Sequence, residues 1–227
     1  MLTSLDVRWK NSTFACSFDR QTHIIARMQD ESKTTHPSEE TTLTHPTPES
    51  IEPEDTTPWY AIRLYANNQL RVSDYFKEHA LECFIPMQYR VYEDEQGRPK
   101  RKLRPVVSNL LFVRKTITSQ EMKQLVMQSQ FKMSVITKDR QTREYYEIPA
   151  KQMFEFRTMC NPEIEMRKYI SSEEARLKAG VPVLVCHGPF KGLTGRLVRQ
   201  NHKYFLLKEV PGIGVMLKVS RWCCKVL

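Results

Sequence analysis

Basic and aromatic side chains form two groups in this sequence that could bind a nucleic acid. Residues 98–104 carry five cations, and such a run attracts phosphates without selecting a base sequence. In the second group an arginine could bind a phosphate and a tyrosine ring could stack on a base, although a solvated helix face is the alternative. The two groups are Arg98, Lys100, Arg101, Lys102 and Arg104, and Asn68, Arg71 and Tyr75.

No group of residues has the spacing of a catalytic or metal site. The chain has no phosphate-cradling glycine loop, no Ser/His/Asp or Cys/His arrangement with supporting context and no paired-carboxylate motif. Its six cysteines include no Cys-x-x-Cys pair. A zinc site would have to use residues whose spacing fits no ordinary pattern, namely Cys186, His187, His202 and Cys223. We therefore expect no enzyme, no cofactor and no metal, and we expect reduced thiols.

Charge divides the 227 residues into two parts. Residues 1–58 contain 5 Lys/Arg and 10 Asp/Glu, whereas residues 59–227 contain 30 and 16. Thr, Glu, Ser and Pro dominate residues 29–58, so we predict a largely disordered extension over 1–58. The basic remainder should attract phosphates or acidic protein surfaces. Because no apolar run approaches the ~20 residues of a membrane span and no signal peptide is recognisable, we expect a soluble, cytoplasmic monomer without a membrane partner.

Residue patterns predict a mixed α+β domain over residues 59–160, with helices packed on a largely antiparallel sheet. A polar, basic loop at 95–104 should join two strands as a hairpin. Thr118-x-x-Glu121 has the form of a capping box, and Pro149 suits the first position of a helix. The predicted strands cover 59–65, 82–94, 106–117, 134–137 and 145–148, and the predicted helices begin near Asn67, Thr118 and Pro149.

A charged connector at 161–179 precedes a segment of short strands that Gly and Pro residues separate. Ser171-x-x-Glu174 is a second capping-box pattern and Gly180 a suitable stop, so we predict a short helix over 172–179. Four strands then follow within about 40 residues, which is typical of a small β-barrel. These strands are VPVLVC, GRLVRQ, KYFLLKE and GVMLKVS.

The barrel segment contains the most specific motif of the chain. Two valines alternate into the core, a Gly-Pro pair makes a turn, and a phenylalanine plugs that turn. Gly192 and Gly195 should adopt backbone angles that a side chain would forbid. The pattern closely resembles a KOW motif, and a generic barrel with a Gly-rich turn is the alternative. The matching positions are Val183, Val185, Gly188, Pro189, Phe190, Gly192 and Gly195.

The upstream segment resembles the N-terminal (NGN) domain of the NusG family. That domain opens on a Trp-Tyr strand, followed by a helix and a strand with a proline, as residues 59–90 do with Pro86. RPVVSNLLFV at 104–113 resembles the family strand FPGYLFV, although its turn residues differ. The sequence looks most like the specialised paralogues RfaH and UpxY, of which UpxY regulates long capsular-polysaccharide operons. The resemblance implies an NGN domain at 59–160, a linker at 161–179 and a KOW domain at 180–227.

The resemblance implies a transcription elongation or antitermination factor that binds bacterial RNA polymerase. In the family, an apolar face of the NGN sheet contacts the clamp helices of the largest subunit, and the second helix reaches the second subunit across the cleft. This bridge disfavours the paused state and needs only differential affinity for two polymerase conformations. By position the clamp-binding residues are Trp59, Arg63, Val107, Leu110 and Phe112, and Thr118 and Lys123 would reach the second subunit. An ordinary core role is the alternative for Trp59 and Phe112.

Further partners also follow from the resemblance. In RfaH-like members the start of the first helix contacts non-template DNA, which assigns Asn68, Arg71 and Tyr75 to that strand. The loop with Arg98, Lys100, Arg101 and Lys102 would lie along upstream duplex DNA. The KOW domain of NusG recruits a small-subunit ribosomal protein or the termination factor Rho, and both stay open here. The strand-rich sequence favours a stable barrel rather than a fold switch.

A ribosome-associated, RNA-binding KOW protein is the alternative from another functional class. A polymerase factor should lose its partner when Phe112 and Val107 become charged. A ribosomal RNA binder should instead lose its partner when lysines of the KOW segment are removed.

Overall fold

The computed structural model describes residues 55–139 and 141–227, so the predicted disorder of residues 1–54 lies outside the described part. The described part contains three antiparallel sheets and four α-helices, and the predicted α+β class is confirmed. Its first half contains β1 (Trp59–Leu64), α1 (Gln69–Glu78), β2 (Cys83–Phe84), β3 (Met87–Glu93), β4 (Pro99–Pro105), β5 (Leu110–Arg114), α2 (Ser119–Gln128), β6 (Met133–Val135), β7 (Glu147–Ile148) and α3 (Ala150–Met159). Its second half contains β8 (Arg167–Ser171), α4 (Ser172–Leu177), β9 (Val181–Val185), β10 (Thr194–Gln200), β11 (Lys203–Val210), β12 (Ile213–Val219) and β13 (Cys224–Val226).

The first sheet has the strand order β2-β5-β1-β6, with β7 also paired to β1. Successive residues of β1 point to opposite sides, so the sheet has two apolar faces. One of them, the Tyr60 face, packs against α1 and α2 through residues such as Val72, Phe76 and Met122. The other, which we call the Phe112 face, is formed by Trp59, Ala61, Arg63, Leu110 and Phe112.

The predicted basic loop at 95–104 is wrong, because most of it is the strand β4. β3 and β4 form a separate two-stranded sheet that pairs from Met87 and Pro105 to Glu93 and Pro99. The carboxylate of Asp94 accepts hydrogen bonds from the backbone N–H groups of Gln96 at 3.0 Å and Arg98 at 2.8 Å. These bonds close a tight turn, and the exposed ribbon tolerates lysine and arginine because it has no buried face to fill.

Local signals set most helix boundaries. Thr118 caps α2 with the predicted capping box, in which its hydroxyl accepts from the Glu121 N–H. Ser171 caps α4 in a similar way by accepting from the Glu174 N–H, but the helix ends at Leu177. α1 begins after Asn68 rather than Asn67, and the Asn68 side chain makes no capping hydrogen bond. The predicted strand 82–94 is interrupted at Pro86, which has no N–H to donate to a ladder.

The C-terminal sheet has six strands in the order β13-β9-β10-β11-β12-β8. Its four central strands are those that the sequence predicts, and it gains β8 from the segment predicted to be a linker. β8 pairs with β12 because Tyr169 and Ile170 lie opposite Val215 and Gly214 and pack on two different apolar clusters. Charged residues flank this short strand, and for that reason the sequence pattern indicated a linker rather than a strand. α4 covers one side of the sheet through the fully buried Ala175.

Candidate functional site

The Phe112 face is the surface to which the family resemblance assigns polymerase binding. Strand pairing brings its members together, because Ala61 lies opposite Phe112 and Arg63 lies opposite Leu110 across β1 and β5. The Phe112 ring also makes an edge contact with Phe156 of α3, with 5.5 Å between the ring centroids. The face is therefore one continuous apolar surface, bordered by Arg63.

The C-terminal sheet and α3 cover this face. The core cluster that contains the Phe112 face also contains Val183, Leu206 and Leu217 of the C-terminal sheet. Gly212, in the turn between β11 and β12, packs so closely that an added Cβ would lie 3.0 Å from a Leu110 methyl carbon. Trp59, Leu110 and Phe112 are consequently 5%, 3% and 0% exposed. The expected exposed patch is thus a buried one in this arrangement, with the same residues acting as core.

Two predicted clamp-binding residues remain at the edge of the covered surface. Arg63 is exposed on β1, between Leu110 on one neighbouring strand and Ser134 on the other. Val107 is half-buried in the loop before β5, where it packs against the edge of the same apolar cluster. These two residues are the part of the predicted surface that a partner can reach without any rearrangement.

A buried ion pair holds α3 to the C-terminal sheet. Glu155 is only 1% exposed, and its Oε2 pairs with Nζ of Lys208. Its Oε1 accepts hydrogen bonds from the N–H and the hydroxyl of Thr194, at 3.1 and 2.8 Å. Nearby, Nε2 of Gln152 donates to the carbonyl of Glu209 at 2.6 Å. No sequence pattern indicates a role for Glu155, because its partners come from strands that are distant in the chain.

The start of α2 is an exposed polar surface. Thr118 and Lys123 are both exposed, and Lys123 lines a groove of about 950 Å³ between α2 and the segment that leads to β7. Hydrogen bonds from the backbone N–H and hydroxyl of Thr118 lower the pKa of Glu121, so this carboxylate stays charged in the cap. Thr118 therefore fixes the helix start, and Lys123 is free to contact a partner.

The predicted DNA-binding group on α1 is only partly available. The Tyr75 hydroxyl donates to the Leu125 carbonyl at 3.0 Å, and its ring packs edge-on against Phe131. The prediction that Tyr75 stacks on a base therefore does not fit this structure, since its ring joins α1 to α2. Arg71 is exposed with its guanidinium over the Phe131 ring, and Asn68 is half-buried.

The cations of the hairpin differ in how far they are neutralised. Arg98 and Lys100 both pair with Asp94, whose pKa is lowered first by the hydrogen bond from the Arg98 N–H. A guanidinium nitrogen of Arg101 lies 3.8 Å from the Oε1 atom of Glu165. Lys102 instead lines a groove of about 920 Å³ between the hairpin and the start of α1. This groove also contains Arg90, Arg104 and Tyr92 and is the basic surface best suited to a phosphate backbone.

The residues of the KOW-like motif lie on β9, in the loop that follows it and at the start of β10. Val183 and Val185 are buried, and Pro189 is exposed. Phe190 is half-buried against the apolar cluster that contains the Phe112 face. Gly188 and Gly192 have positive φ angles of 87° and 91°. Gly195 does not, which corrects the prediction. It is needed because a Cβ there would lie 2.7 Å from the Leu207 carbonyl oxygen.

Neither a metal-binding cluster nor a membrane span is visible in the described part of the chain. No three His, Cys, Asp or Glu residues there are grouped so that they could bind a metal ion. No helix in the described ranges has the length and apolar character to span a bilayer.

One family model matches part of the chain. Residues 57–157 match the family model described as transcription termination factor NusG. The match runs from β1 into α3, and therefore includes the whole first sheet with both of its faces. No curated protein matches the chain. The family match supports a NusG-like factor that acts in transcription elongation or antitermination.

Proposed function

We propose that this protein is a transcription elongation or antitermination factor that binds RNA polymerase through the Phe112 face. The observation that carries the proposal is that the segment matching NusG includes every strand of the sheet that forms this face. In this proposal residues 59–160 are an NGN domain and residues 180–227 a KOW domain. Lys123 on α2 would reach the second polymerase subunit, so that the factor bridges the cleft. The role requires binding surfaces alone and no catalytic group.

Because the C-terminal sheet covers most of the Phe112 face, polymerase binding requires that sheet to move away. The described structure is then a closed state, and the polymerase selects an open state in which Trp59, Leu110 and Phe112 are accessible. The ion pair of Glu155 with Lys208 and its hydrogen bond from Thr194 support this interpretation. These polar groups can be hydrated when the two parts of the protein separate. Arg63 and Val107, exposed or half-buried at the edge, would make the first contact.

Nucleic acid and protein partners extend the proposal. Arg90, Lys102 and Arg104 in the hairpin groove could hold the phosphates of DNA in the elongation complex, with Arg71 nearby on α1. The C-terminal sheet would recruit a ribosomal protein or Rho. The likeness to UpxY favours long polysaccharide operons as targets.

Binding to a reconstituted elongation complex tests the proposal. Arg63 is expected to face a carboxylate of the polymerase. Arg63→Glu should weaken polymerase binding by at least about tenfold, because two like charges that face each other at an interface cost several kcal/mol. This substitution leaves the core intact, unlike a charge at the buried Phe112. Lys77→Glu makes the same change in charge at an exposed site on α1, which packs on the opposite face of the sheet, and should bind as the wild type does.

Transcription through pause sites gives the functional readout. The wild-type protein should shorten pauses and lengthen transcripts, and Arg63→Glu should lose this effect. Unchanged pausing on several templates, including the leader of its own operon, would count against the proposal. So would equal binding of both charge variants.

A further inference from the structure

Trp222 is a large aromatic side chain left in solvent on the C-terminal sheet. It lies in the short 3-10 turn Arg221–Cys223 between β12 and β13 and is 77% exposed. The ring stacks on His187, with 6.1 Å between centroids and 25° between ring planes. The imidazole thus holds the indole in place, while most of its surface stays accessible.

A basic groove of about 610 Å³ adjoins this tryptophan. We call it the Trp222 groove. A second aromatic ring, that of Tyr204, lines it, and the guanidinium of Arg199 lies 5.9 Å from the centroid of that ring. The Trp222 groove also contains three cations and a histidine. Its main lining residues are His202, Lys203, Tyr204, Lys218, Arg221 and Trp222.

The three cations of the Trp222 groove, Lys203, Lys218 and Arg221, form no ion pair within the described ranges. Glu209 is the only acidic residue from 180 to 227. It lies seven positions along the chain from His202, towards the other end of β11, where it pairs with Arg176 and Arg196.

Cations beside the exposed Trp222 ring and the half-buried Tyr204 ring together favour a particular class of ligand. Proteins that bind single strands combine a positive groove, which follows the phosphates, with aromatic side chains on which bases stack. A docking site for a protein would instead have an apolar centre with a polar rim, whereas the one aliphatic side chain that lines this groove, Val219, is half-buried. In a duplex the bases are paired and stacked on one another. A duplex could therefore contact the cations of the groove, but its bases could not stack on Trp222.

We propose that the Trp222 groove binds single-stranded nucleic acid. A base stacks on Trp222, and Lys203, Lys218 and Arg221 contact the phosphates on either side. This site is separate from the Phe112 face and from the hairpin groove. It therefore does not depend on whether the protein binds polymerase.

Fluorescence anisotropy with the full-length protein and labelled oligonucleotides of about 15 nucleotides tests the proposal. One arm uses oligouridylate, a second oligothymidylate, and a third a DNA duplex of equal length. Both single strands should bind more tightly than the duplex, and the tighter of the two identifies RNA or DNA as the natural ligand. Trp222→Ala should weaken single-strand binding by roughly 5- to 150-fold, the range of one lost stacking contact. Trp222→Phe should recover most of it.

Matched substitutions separate this site from a general effect of charge. Lys203→Gln and Arg221→Gln should each reduce the slope of log K against log salt by about 0.7. Lys132→Gln, an exposed cation on the first domain, should leave the slope unchanged. Leu177→Ala removes another exposed apolar side chain, 87% exposed, and should bind as the wild type does. Trp222 is so exposed that its replacement should leave the unfolding midpoint unchanged, which a melting curve checks.

Three results would overturn the proposal. The first is no single-strand binding at low salt, and the second is duplex binding that equals single-strand binding and ignores Trp222. The third is that Trp222→Ala abolishes capture of a purified protein partner while oligonucleotide binding is unchanged. That last result would make the groove a protein-docking surface.

Discussion

Glu155→Ala should release the C-terminal sheet from the Phe112 face. The substitution removes the partner of the Lys208 ammonium and leaves the N–H and hydroxyl of Thr194 without their acceptor. All of these contacts run between α3 and the C-terminal sheet. The substitution therefore destabilises the closed state, while neither α3 with the first sheet nor the C-terminal sheet loses a contact within itself.

The size of the effect follows from the burial of the pair. Breaking a buried ion pair by removing one partner costs about 3–5 kcal/mol. The Lys208 side chain is 14% exposed and keeps the Thr194 carbonyl as an acceptor at 3.1 Å. We therefore expect the lower end, about 3 kcal/mol, which raises the population ratio of open to closed states by roughly 150-fold.

Alkylation of Cys160 measures the opening. This thiol is 2% exposed in the apolar cluster that contains the Phe112 face and the C-terminal sheet. Burial raises its pKa to about 12, so it reacts only after the interface opens. Its alkylation rate, followed by mass spectrometry, should rise in Glu155→Ala by up to the same factor. Cys83 is an internal reference, because its pKa is raised to about 11 in the other apolar cluster, which the substitution does not touch.

Companion variants decide whether the ion pair is the cause. Glu155→Gln keeps an oxygen acceptor for Thr194 and should open less. Adding Lys208→Met to Glu155→Ala removes the unpaired ammonium and should restore much of the closed state. Glu82→Ala breaks exposed ion pairs with Arg114 and Arg157 and should change Cys160 alkylation little. Equal rates in the wild type and Glu155→Ala would refute the reasoning.

Three further predictions concern stability. Gly195→Ala should destabilise the protein by about 1–3 kcal/mol in urea unfolding, because its Cβ would meet the Leu207 carbonyl oxygen, and an unchanged midpoint would contradict this. Thr118→Ala should cost about 1 kcal/mol by the same measurement, since it removes the α2 cap, and loss of the whole fold would show a larger role. Stability should fall as the pH rises above about 8.5, because the unfolded thiols of Cys83 and Cys160 release protons that the folded ones retain. The fall should be smaller in Cys83→Ala, and an equal fall would assign it to other groups.

Local patterns predicted the elements whose signals lie within one segment. The aromatic and β-branched content of β1, the capping box at Thr118 and the buried valines of β9 are each read from neighbouring residues, and the structure contains all three elements. The strand β4 was missed because a basic segment has low strand propensity. It forms nonetheless, because β3 supplies a hydrogen-bonding partner and Asp94 closes the turn.

The candidate site shows the limit of sequence reasoning more clearly. The family resemblance placed Trp59, Leu110 and Phe112 on one apolar face, and these residues share one cluster in the structure, but no sequence pattern states what covers such a face. Glu155 and Gly195 are determined by contacts with residues on other strands, Lys208 and Leu207 among them. Tyr75 has the side chain of a base-stacking residue, yet its environment makes it a link between two helices.

The affinity of Glu155→Ala for the RNA polymerase elongation complex tests the central claim most directly. If the closed state hides the binding face, the open variant should bind more tightly than the wild type, by up to the factor that Cys160 alkylation reports. Adding Arg63→Glu should reverse most of that gain. An open variant, shown by its Cys160 alkylation, that binds polymerase no more tightly than the wild type would contradict the account.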